Sequence, residues 1–303
     1  MEVITNSKTK LKMLKRTIDE AIPTIRMHFT QDQQDAIENG RRSHHGLINE
    51  INKVITPPKN QTFKNLYIYS RSGLGKSSTV KKLLKFNDST YYKISPSTTM
   101  FMFGVKLAKI KKQHKDQRVF IWIDDTNMLF KNEENINIMK NVLFDDDKFT
   151  YDRANNNDFG KLDSINKDAV REFLIEGQGL VIPCNSFTFI FTSNRKLPEQ
   201  NELNDKNTID QHRHALRNKM LVVDLSFAPD IIWGYITWIV LQDSNLVYPE
   251  ISEEIKIKAL KHMKKNWDDL KSHSLNEYVK FLRYYVEYPK DYMDHWNNNL
   301  NNN

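Results

Sequence analysis

The chain has 303 residues, 39% of them apolar and 27% charged, which is enough for one large domain or a core with small appendages. Its formal net charge of +7 and mean hydropathy of -0.65 describe a mildly basic soluble chain, not a disordered tail. No run approaches the ~20 apolar residues of a bilayer span, and the first residues lack the apolar stretch of a signal peptide. A lone cysteine, Cys184, excludes an internal disulfide and a multi-cysteine zinc site. An intracellular protein with no membrane partner is expected.

Leu11, Leu14, Ile18 and Ala21 share one face of a predicted amphipathic helix within a polar N-terminal segment. Pro57 and Pro58 end that segment. Beyond them, short β-branched or aromatic runs alternate with helical patterns. The predicted strands are 66–69, 91–94, 119–123, 187–192 and 221–225, most of them apolar on both faces as in the centre of a helix-covered parallel sheet. Residues 100–114 read as a helix with Phe103, Leu107 and Ile110 on one face and Lys106, Lys109 and Lys112 on another. The run from Ile231 to Leu241 reads as a buried helix. From Tyr248 on the pattern is helical, with Ser252 and Ser274 as candidate N-caps. The fold class is α/β: a three-layer P-loop core with about five parallel strands, flanked by N-terminal helices and a small C-terminal helical domain. Expected boundaries are 1–58, 59–245 and 246–296, with 297–303 as a disordered tail.

Charge is uneven. Residues 61–118 hold 13 basic and 2 acidic side chains, whereas 119–163 hold 5 and 10. The first segment suits a polyanion.

Three motifs carry chemistry. Ser70-Arg71-Ser72-Gly73-Leu74-Gly75-Lys76-Ser77 stands between a strand and a helix, as a phosphate-binding loop requires. Gly73 and Gly75 let backbone N–H groups turn inward, and the helix N-terminus adds positive potential. Residues Ser72 to Ser78 form the expected nucleotide cradle, with Lys76 reaching the β- and γ-phosphates and Ser77 holding Mg²⁺. Ser70 occupies the place of the usual first glycine. Next, the apolar strand 119–123 ends in Asp124 and Asp125, the first suited to a metal shell and the second to a general base. Last, the apolar strand from Phe187 ends in Thr192-Ser193-Asn194, and an amide there can bond a γ-phosphate or a lytic water without adding charge.

In that order and spacing the three motifs resemble the superfamily-3 helicases of small viruses and mobile elements, within the wider AAA+ ATPases. The likeness covers roughly 60–245. It implies a ring, usually of six subunits, that hydrolyses ATP with Mg²⁺ and draws nucleic acid through its pore, single-stranded DNA first and RNA second. It also implies a sensor amide at Asn194 and a trans-acting arginine finger near Arg213, Arg217 or Lys219, of which Lys219 lies closest to the family position but lacks the planar fork of arginine. The family's pore hairpin falls on Leu174–Pro183, where Gly177 and Gly179 suit a tight turn and the tip lacks a basic residue. Lys161, Lys167 and Arg171 stand nearby, and Lys106 and Lys109 offer further phosphate contacts. Asp145–Asp147 and Asn155–Asn157 read as a flexible insertion, and Arg283 is the one late candidate for a second sensor. The N-terminal sixty residues leave no room for an origin-binding or nuclease domain, so an initiator or primase is expected as a separate partner. Two other readings stand beside the helicase: an AAA+ remodeller, loader or packaging ATPase, and an ATP-switched initiator or scaffold without turnover.

Overall fold

The computed structural model describes residues 18–60, 63–95, 97–125, 130–145, 147–152, 159–203, 207–242, 250–270, 272–288, 290–291 and 294–295. The Leu11 and Leu14 positions, Asn155–Asn157 and the tail at 297–303 lie outside the described residues.

The described residues pack as two compact units. One takes Asn49–Ser70 and Lys76–Leu225. Its centre is a five-stranded parallel sheet of β1 (Leu66–Tyr69), β2 (Tyr91–Ile94), β3 (Val119–Asp124), β7 (Phe187–Ser193) and β8 (Leu221–Asp224), in the order β2-β3-β7-β1-β8. These are the five expected strands. All of β1 and β7 and most of β3 are buried, so both faces must be covered, and α3 (Lys76–Phe86) and α4 (Met100–His114) follow their strands as crossovers. Tyr67, Ile121, Ile123, Phe187, Phe189 and Phe191 join Phe103 and Leu107 of α4 in one apolar core. The register sets Tyr69 beside Ser193 and Asp124 beside Thr192, which brings the carboxyl ends of three adjacent strands level. That edge is where ligands bind in open α/β sheets.

Further along, α5 (Glu133–Lys140) leads into a π-helical turn and β4 (Lys148–Tyr151). Then α6 (Ser164–Arg171) precedes the hairpin of β5 (Leu174–Ile175) and β6 (Gly179–Pro183). The order β4-β6-β5 makes a small antiparallel sheet. The hairpin turns as its glycines suggested, with Gly177 at φ 75 and Gly179 at φ 77. β4 corrects the reading of the acidic stretch as a flexible insertion: Phe149 is fully buried and Asp147 pairs with Lys64 at 3.0 Å. α7 (Thr208–Arg217) precedes β8.

The other unit takes the described residues up to Ile48, Arg71–Gly75, and those from Ser226 on. It contains α1 (Ile18–His28), the first two-thirds of α2 (Gln31–Ile55), and α8 (Pro229–Gln242), α9 (Glu253–Lys265) and α10 (Leu275–Glu287). α8 is the predicted buried helix, and Trp233, Tyr235, Ile236 and Trp238 are almost wholly enclosed. It meets α2 backbone to backbone. A Cβ on Gly40 would lie 2.1 Å from the Tyr235 nitrogen, and one on Gly234 would lie 1.9 Å from the Ala36 oxygen. The packed units therefore group the N-terminal helices, α8 and the C-terminal helices together, where the sequence reading divides the chain near 58 and 245.

Candidate active site

The loop after β1 begins as a continuation of the sheet, with the Ser70 N–H bonded to the Ser193 carbonyl at 3.2 Å. The positive φ values follow at Gly73 (78) and Gly75 (74), and α3 starts at Lys76. Gly75 turns the chain into that helix, so the free N–H groups of its first turn flank the loop. Ser72 and Ser78 are exposed, whereas the Leu74 side chain is 1% exposed and belongs to the core of the helical unit. In the same unit the Gly73 carbonyl accepts the Leu275 N–H at 2.8 Å, and a Cβ on Gly73 would lie 2.6 Å from the Ser274 Cβ. Ser274 caps α10 as expected, accepting from the Glu277 N–H, but the Glu277 carboxylate pairs with Lys280 instead of completing a capping box. Arg283 is exposed and paired with Glu287, so the α10 residues that touch the loop are those of its first turn.

Lys76 is buried, and its Nζ donates to the Ser70 carbonyl (3.0 Å), the Ser70 Oγ (2.8 Å) and the Asn194 Oδ1 (3.0 Å). Burial lowers its pKa to about 8 against the opposing pull of Asp124 and Asp125. Ser77 Oγ donates to Asp124 Oδ1 at 2.6 Å, and Thr192 Oγ1 donates to the same oxygen at 2.6 Å. Lys93, from β2, lies 2.6 Å from Asp124 Oδ2 and 4.6 Å from the Trp122 ring centre. Burial would raise the Asp124 pKa, but Lys93, Ser77 and Thr192 outweigh it and hold the carboxyl below its usual value. Asp125 has φ 60, donates its N–H to the Thr192 carbonyl at 2.8 Å, and keeps a buried Oδ1 with no protein partner. A buried carboxylate oxygen without a donor is costly unless a ligand or water meets it.

The structure thus brings Lys76, Ser77, Asp124 and Asn194 together through side-chain bonds, with Asp125 next in the chain. The set fits a phosphate ester with a divalent cation: one ammonium, one hydroxyl and two carboxylates supply the hard oxygen donors such a cation takes. Sequence reasoning missed Lys93, Thr192 and the Ser70 hydroxyl. Lys93 had a local signal, as the single charge in an otherwise uncharged strand.

The other predicted residues lie apart from these bonds. On α7, Arg213 donates to the Phe130 carbonyl (2.8 Å) and pairs with Asp210, while Arg217 donates to the Leu197 carbonyl (3.2 Å) and pairs with Glu199. Lys219 is exposed in the turn before β8. On α4, Lys106 donates to Thr98 at 2.8 Å, Lys109 is exposed, and Lys112 pairs with Asp168 of α6. Lys161 and Lys167 are exposed before and on α6. Leu174 and Ile175 of the hairpin and Ile165 of α6 are large apolar side chains left exposed.

No protein-family model matches the chain, and no curated protein matches it by sequence. Among solved structures it is similar to RuvB of Thermotoga maritima, a Holliday junction branch migration motor, at 11% identity and a TM-score of 0.43. That match covers 91% of this chain and 65% of the other. Two point mutants of the same protein give TM-scores of 0.40 and 0.41 at 10% and 11% identity, over 82% and 91% of this chain and 64% and 67% of theirs. The chain therefore spans less than two thirds of the length of the first two. At those scores the likeness decides neither site nor activity.

Proposed function

We propose that the chain is an ATP hydrolase whose site is the level edge formed by β1, β3 and β7. The observation that carries this reading is the bonding of Lys76 to Asn194 and of Ser77 to Asp124, three sequence motifs joined within hydrogen-bond distance. Gly73 and Gly75 shape the loop around the phosphates, and Lys76 meets the β- and γ-phosphates. Ser77 and Asp124 would hold Mg²⁺, which when bound offsets phosphate charge. Asp125 takes the proton of the attacking water as its oxygen joins the γ-phosphorus and the bond to the bridging oxygen breaks. Asn194 orients that water or the γ-phosphate.

The same site serves a ring-forming motor on nucleic acid of superfamily-3 type, with an initiator or primase as a separate partner. Motif order and the basic stretch 61–118 support that assignment. The β5–β6 hairpin favours a second reading, a remodeller acting on a protein: its strands expose Leu174 and Ile175, and its tip, Glu176-Gly177-Gln178, carries no cation. In either case a trans-acting cation comes from α7 or the turn after it. Arg213 and Arg217 must exchange their carbonyl and carboxylate partners to serve, which leaves Lys219 as the exposed candidate. Steady-state ATPase with and without single-stranded DNA or RNA, with oligomer mass followed in the same samples, tests these readings. Stimulation by a nucleic acid at six-subunit mass is the motor's result. Turnover indifferent to both nucleic acids is the remodeller's, and tight ATP binding without turnover would replace both with a nucleotide switch.

A further inference from the structure

The residue that breaks the loop's glycine pattern is also one that holds its lysine. Ser70 is 2% exposed, and its backbone N–H is committed to the Ser193 carbonyl. It is not among the described residues with positive φ, so its position needs none of glycine's conformational freedom. An ammonium has three protons to donate. Here Ser70 offers two acceptors to Lys76, its carbonyl at 3.0 Å and its Oγ at 2.8 Å, beside Asn194 Oδ1 at 3.0 Å. A glycine at 70 would keep the carbonyl and lose the hydroxyl. Because Lys76 is buried, its charge depends on such acceptors, and a side-chain oxygen fixed to the end of β1 aims it where the backbone alone would leave it looser.

We infer that Ser70 is a positioning residue, whose hydroxyl holds the Lys76 ammonium at the strand end so that it meets the outer phosphates of a nucleoside triphosphate. The inference rests on the proposed nucleotide site and adds a residue to it. Ser70 touches no phosphate itself; it acts through Lys76. A defect at Ser70 should therefore weaken binding only of nucleotides that have β- and γ-phosphates.

The test is equilibrium binding of a fluorescent ATP analogue and the matching AMP analogue to the full chain in EDTA, for wild type, Ser70→Ala and Ser70→Gly. Circular dichroism melts confirm that each variant is folded. Ser70→Ala should lower affinity for the ATP analogue about tenfold, the loss expected for one hydrogen bond to a charged group, with AMP affinity held within about twofold. Ser70→Gly carries the same expectation and restores the usual loop residue, so it serves if the alanine variant does not fold. Equal losses for both nucleotides, or none for either, would overturn the role assigned to Ser70 while leaving the nucleotide site in place. A wild-type chain that does not prefer ATP to AMP would instead overturn the site, and the role of Ser70 with it.

Discussion

Eight consecutive residues, Ser70 to Ser77, divide between two units built on different principles. Ser70, Lys76 and Ser77 belong to the parallel sheet unit, where side chains at strand ends bond one another through hydroxyls, an ammonium and carboxylates. Arg71 to Gly75 belong to the helical unit, where Leu74 is enclosed among aromatic and aliphatic side chains and Gly73 is held through its carbonyl. Charge and hydrogen bonding define the first set, and apolar enclosure the second. The lesson is that the loop's chemistry and its anchoring are separable, so each can be altered while the other is watched.

The largest effect should come from the chemical side. Lys76→Ala should reduce ATP turnover at least about 100-fold, since it removes the buried cation that meets the phosphates, while leaving the helical unit's hydrogen-exchange protection unchanged. Leu74→Ala makes the opposite cut. It should cost the helical unit about 2–5 kcal/mol, read as faster amide exchange in α8 and α10, because an enclosed leucine is replaced by a cavity. Loss of protection in the sheet strands instead would erase the distinction between the two sets.

A titration sharpens the comparison further. Lys76 is an ammonium below a pKa of about 8 and loses its charge above it. ATP affinity should be level on the acid side and fall up to about tenfold per pH unit above that value, with AMP affinity much less affected. An affinity that stays level from pH 7 to 10 would show that the ammonium does not hold the phosphates. The smallest effect belongs to the α10 cap: Ser274→Ala should cost about 1 kcal/mol of local stability, visible as fraying of the first turn of α10 by exchange.

Much of the fold was legible because buried parallel strands write themselves as unbroken apolar runs, and all five did so. The loop, Asp124, Asp125 and Asn194 were legible because each terminates such a run. β4 was not: its four residues follow an acidic run, and its pairing with β6 joins residues about thirty positions apart. The Ser70 hydroxyl, Thr192 and Lys93 escaped for a related reason. Their value lies in bonds to Lys76 and Asp124 that only the sheet register creates. Leu74 sat in a motif where the reading attended to backbone, and the side chain proved to be an anchor. The cations of α7 were found by family position, yet their bonds to the Phe130 and Leu197 carbonyls follow no local pattern.

The most direct test of the central claim compares ATP binding and steady-state turnover in wild type, Lys76→Ala and Asp125→Asn. The account predicts that wild type binds and hydrolyses ATP, that Lys76→Ala loses binding, and that Asp125→Asn binds normally but turns over about 100-fold or more slowly. Normal turnover by Asp125→Asn, or a wild-type chain that does not bind ATP, would contradict it.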